Sequence, residues 1–124
     1  MTVDCLDPNH HLRFSILVDR DRTKENDIER RVMFFLFAGY SELYEKVNHL
    51  YDFDRQLILP EVLEDESTVD LTSSMRTIVK LAYNLYNGFS SESFLDTFTV
   101  LDGEKRFLVM SAIKYRFHLN HKFE

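Results

Sequence analysis

The chain has a single cysteine, Cys5, so no disulfide can form within it. A lone thiol fits a reducing compartment or a metal site better than a secreted, disulfide-framed scaffold. Glycine and proline are scarce, with three and two copies in 124 residues. So few turn formers argue against a turn-rich β-sandwich and for helices. No long apolar run occurs. The longest, Val32 to Ala38, is far short of the roughly 20 residues that cross a bilayer. No basic-then-apolar leader opens the sequence, so the expectation is a soluble, cytoplasmic protein. Positive charge is also lacking. A net charge of −6 argues against the dense basic surface of non-specific DNA binding. It keeps a small protein in solution, and it would suit docking onto a basic protein surface.

The motifs of common catalysts are missing as well. There is no Gly-rich phosphate loop, no G-x-S-x-G elbow and no H-E-x-x-H. A non-catalytic protein is therefore expected.

What is present is apolar. Hydrophobic residues make up 44% of the chain and aromatics 14%, with eleven phenylalanines. That composition excludes disorder and can supply one core without disulfides. No repeat or linker divides the chain, so residues 1–124 read as one domain.

Periodicity predicts an all-α fold, about five to six helices around one aromatic-rich core, with at most a minor extended segment near 55–60. Asp7 or Asn9 can cap a first helix with Pro8 in its first turn, and Leu12, Ile16 and Leu17 form its stripe beside Phe14. Asn26 and Glu29 resemble a capping box. The following "VMFFLFA" is apolar on all sides; the cap before it, its length and Gly39 as a stop together predict a central buried helix. Ser41 can open a third helix with Leu43, Val47, Leu50 and Tyr51 on one face. Leu57 to Leu59 precede Pro60 and should be extended. Glu61, Glu64, Asp65, Glu66 and Asp70 make an exposed acidic stretch. The strongest helix follows a Thr72 or Ser73 cap, carries Met75, Ile78, Val79, Ala82, Leu85 and Tyr86, and stops at Gly88. A short helix is expected from Ser91 to about Phe98. The last runs through "EKRFLVMSAIKYRFHLNH" after Asp102 and Gly103. Phe107, Met110, Ile113 and Phe117 line one side of it, and Leu108, Ala112 and Tyr115 another, so it should pack between neighbours.

Several of these segments also carry a resemblance. They are His10 or His11 followed by Phe14, "LYDF" at Leu50 to Phe53, "SSMRTIVKLAYNLYNG" ending at Gly88, and "AIKYR" from Ala112 to Arg116. The chain resembles a domain family of unknown function, short helical proteins of Gram-positive bacteria, their phages and mobile elements. The resemblance implies a phage or mobile-element origin. Small acidic phage proteins often bind and block a host protein, and inhibitors of CRISPR nucleases are one such class. The expected function is therefore a host-protein inhibitor, with Tyr40 or Tyr51 as surface anchors and a basic patch on the partner. The alternatives are a small metal-dependent enzyme and a self-assembling structural or adaptor protein.

The soft ligands concentrate at the two ends. His118 and His121 are three apart and would share a face if the last helix reached them. Together with Cys5 and His10 they could close a tetrahedral, structural zinc site joining the termini. His11 could replace His10, and Asp4 or Asp7 could replace a nitrogen ligand. The bland reading is exposed, idle histidines and a cysteine acting as a small hydrophobe. His49, on the third helix, reads as structural.

Overall fold

The computed structural model describes residues 5–64 and 69–119. Their elements in chain order are α1 (Pro8–Asp21), α2 (Ile28–Ala38), α3 (Ser41–Glu45), α4 (Val47–Leu50), β1 (Tyr51–Asp52), β2 (Leu57–Ile58), a 3-10 turn (Pro60–Leu63), α5 (Ser73–Asn87), α6 (Phe94–Val100) and α7 (Gly103–Phe117). The fold is mainly helical, as its periodicity predicts. Its one sheet among the described residues is the antiparallel hairpin pairing Tyr51 with Ile58 and Asp52 with Leu57.

The helix α2 is the axis of the molecule. Every residue from Val32 to Ala38 is fully buried. Its rings point to different neighbours, which is why this segment is apolar all round. Phe35 meets Phe14 of α1 and Tyr115 of α7 edge-on. Phe37 meets Tyr83 of α5. Phe34 meets Tyr51 edge-on and stacks on Phe53 in the hairpin. Such aromatic pairs add to the stabilisation from burial itself.

Caps set the helix starts. Asp7, Asp27, Thr72, Ser93 and Asp102 each accept a backbone N–H in the first turn of the helix they precede. Gly88 ends α5 at φ 82, in the left-handed region where glycine carries no side-chain penalty. The expected third helix breaks at Lys46 into α3 and α4, yet Leu43, Val47, Leu50 and Tyr51 stay on one buried side.

Three expectations need correction. The cap of α2 is Asp27 and not Asn26, whereas Gly39 ends the helix as expected, at φ −61. Its second role is steric: a Cβ there would lie 2.6 Å from Leu108 Cδ2, so glycine lets α7 approach the end of α2. In α1 the buried positions are His10, Phe14, Leu17, Val18 and Asp21, at clean helical spacing, while Leu12 and Ile16 face outward. A stripe built from apolar residues alone is rotated, because two polar side chains belong to the buried face. The last helix ends at Phe117. His118 takes the left-handed conformation at φ 59, and the Leu119 N–H donates back to the Lys114 carbonyl. That hydrogen-bonded turn closes the helix at Phe117, before His118.

Candidate functional site

The four expected metal ligands are in different settings. His10 is fully buried. Its Nδ1 accepts the Leu6 N–H at 2.9 Å, so the proton sits on Nε2, which donates to the Phe35 carbonyl at 2.9 Å. Both ring nitrogens are thus engaged with backbone. Burial lowers its pKa below the ordinary 6.5, outweighing the support of the Phe35 hydrogen bond. Cys5 is half-buried and packs against the core. His118 is exposed at the end of α7. His121 and Asp4 lie outside the described residues. Of the substitutes, Asp7 caps α1 by accepting the His10 N–H, and His11 is exposed. Among the described residues no group of three or more His, Cys, Asp and Glu side chains could hold a metal ion.

A second polar group lies under the hairpin. The side chain of Asp21 is fully buried. It accepts from Tyr51 Oη at 2.8 Å, Thr23 Oγ1 at 2.6 Å and Gln56 Nε2 at 3.3 Å. Arg30 Nη1 faces it at 3.8 Å, and Arg30 Nη2 donates to Tyr86 Oη at 3.1 Å. Burial, then the bond to Asp21, raises the Tyr51 phenol well above its ordinary value. Tyr51 is therefore an internal tether and not a surface anchor. Tyr40, half-buried, donates to Glu104 at 2.8 Å, with its phenol also raised by burial first. Sequence reading missed Asp21 as a core residue, although its register with Phe14, Leu17 and Val18 was the signal.

The outward apolar residues form the third setting. On α7, Leu108, Val109, Ala112 and Tyr115 are buried, whereas Phe107, Met110 and Phe117 are exposed. The second face expected to pack against a neighbour is therefore open. Helix α6 lies alongside: Arg106 Nε donates to the Phe98 carbonyl at 2.8 Å, and Phe94 stacks on Phe98 with centroids 4.6 Å apart. Phe94 and Leu95 are 68% and 74% exposed. Between α5, α6 and α7 opens a cleft of about 210 Å³, with Leu81, Phe94, Phe98, Val109 and Ile113 as its apolar lining and Asn84, Ser91, Glu92 and Thr97 as its polar lining. Ile113 shares its side of α7 with Met110 and Phe117. The cleft and the outer stripe thus form one surface.

A family model, the Family of unknown function (DUF6075), matches residues 1–123. The chain belongs to that family. No curated protein and no solved structure matches it.

In this DUF6075 chain the segments that carry the sequence resemblance are largely framework. Leu50 and Tyr51 are buried, Gly88 ends α5, and Ala112 and Tyr115 pack inward. His10 and Tyr51 are held in internal contacts, and Phe94, Leu95, Phe107, Met110 and Phe117 face outward from α6 and α7.

Proposed function

We propose that this DUF6075 protein is a non-catalytic recognition domain that docks on another protein through α6 and α7. The observation that carries the reading is the exposure of Phe94, Leu95, Phe107, Met110 and Phe117 beside a cleft of mixed apolar and polar lining. Aromatic side chains and methionine are enriched in interfaces, and contiguous exposed apolar surface commonly marks a binding site. A cleft of this size takes one bulky anchor from the partner, the arrangement in which a few residues carry most of the affinity. The phage or mobile-element origin implied by the sequence resemblance would make that partner a host protein and the outcome of docking its inhibition.

The test uses Leu95→Asp with Phe107→Asp in the full chain. Both sites are exposed, so the melting temperature should stay close to that of the parent. Cross-linking in the native host should recover a partner with the parent chain that the double variant fails to hold. Equal recovery by both would overturn the reading. So would an interface mapped by the cross-links to any other surface.

A further inference from the structure

A second concavity lies on a different part of the molecule and does not depend on the α6–α7 surface. It is a groove of about 750 Å³ between the start of α2, the hairpin and the end of α5. Leu57, Ile58, Pro60, Tyr86 and Phe89 form its apolar walls, and Asp27, Glu29 and Arg30 its charged side. Among the described residues the Arg30 guanidinium is the only cation in the lining; its Nε is buried without a hydrogen-bond partner, while its two other nitrogens are engaged. It faces buried Asp21 at 3.8 Å and bonds Tyr86.

Asp27 Oδ1 already accepts the Arg30 N–H as the cap of α2, while its Oδ2 and the Glu29 carboxylate are less occupied. Arg30 Nε approaches Asp27 only to 3.6 Å, and Arg116 Nη2 approaches Glu29 only to 3.7 Å. Neither contact is a hydrogen bond at that separation, so both acids keep acceptor capacity for a donor from outside. With Asp21, Asp27 and Glu29 facing only Arg30 and Arg116, the groove keeps a small excess of negative charge beside aromatic and aliphatic walls. Among the described residues no third strand pairs with β2, so a strand edge runs along one wall.

We infer that this groove binds an extended peptide segment of a partner protein in which lysine or arginine stands next to a bulky apolar residue. The basic head would meet Asp27 and Glu29. Its methylene stem would lie on Tyr86 or Phe89, whose ring faces also attract cations. The apolar neighbour would sit against Leu57, Ile58 and Pro60. An extended backbone could pair with the open edge of β2, the usual mode of strand addition.

The experiment selects a random peptide library displayed on phage against the intact chain. Enriched peptides should combine basic with aliphatic or aromatic residues. Their affinity should fall about tenfold, equivalent to about 1.4 kcal/mol, for Glu29→Lys and for Leu57→Asp. It should hold for Leu95→Asp, which lies on the other surface. Circular dichroism verifies that each variant folds, and Glu29→Gln replaces Glu29→Lys if the latter does not. Failure to enrich any peptide would overturn the assignment. So would enriched peptides without basic residues, or binding lost in Leu95→Asp but kept in Leu57→Asp; that last pattern would leave the α6–α7 reading intact.

Discussion

The imidazole of His10, on α1, donates from Nε2 to the carbonyl of Phe35 near the end of α2, at 2.9 Å. That carbonyl needs an outside donor because the Gly39 N–H bonds to Leu36 instead. Arg13, three residues on, serves the next carbonyls: Nε donates to Ala38 at 2.7 Å and Nη2 to Gly39 at 3.2 Å. Two basic side chains of one helix thereby close the carbonyl end of another. Replacing His10 with alanine leaves the Phe35 carbonyl and the Leu6 N–H without partners and opens a cavity. It should cost about 2–4 kcal/mol, read from urea unfolding.

The same residue sets an acid limit. In the unfolded chain His10 takes a proton near 6.5, while in the folded chain burial holds its pKa lower. The unfolded state therefore binds more protons as pH falls below 6.5, and stability drops with it. The contribution is complete above 6.5 and is lost progressively toward the depressed folded value. Melting temperatures between pH 8 and 5 should fall on the acid side, and His10→Ala should flatten part of that fall. Parallel curves for parent and variant would exclude His10 as the source.

Asp21 and Tyr51 join α1 to the hairpin. Tyr51→Phe deletes one hydrogen bond and keeps the ring against Phe34, so a loss of about 1–1.5 kcal/mol is expected. Asp21→Ala also strips Arg30 of its buried counter-charge and should cost more, about 3 kcal/mol. Equilibrium denaturation of the two variants and of their combination gives the coupling, which should be far from additive.

Gly39→Ala drives a methyl into Leu108, a fully buried side chain in a packed core. A loss of about 1–3 kcal/mol is expected. Leu108→Ala should be less costly in the Gly39→Ala background than in the parent, and a double-mutant cycle measures that difference.

A zinc clip through Cys5, His10, His118 and His121 would have to break one of the two backbone bonds of the His10 ring, at Nδ1 to Leu6 or at Nε2 to Phe35. Dialysis against a chelator is therefore expected to leave the melting temperature unchanged. A stoichiometric zinc content, with a fall in melting temperature on its removal, would show that the ring exchanges one of those bonds for a metal.

The number and order of the main helices, the hidden axis of α2 and the extended turn before Pro60 were legible in the chain itself. They follow from local rules: a polar residue caps a first turn, the apolar period names a face, and a residue before proline is extended. Gly88 obeyed such a rule, since nothing lies near where its Cβ would be and only its φ matters. Gly39 also ends its helix as the sequence predicts, but its second role, the close approach of Leu108 from far along the sequence, was not legible there. His10 and Asp21 were hidden for the same cause. Burying a polar group is tolerable only when distant partners satisfy it, and those partners, Phe35 and Tyr51, are assigned by packing. The open side of α7 shows the converse: periodicity marked two apolar faces, but only the assembled helices decided which one α2 would cover and which would meet solvent.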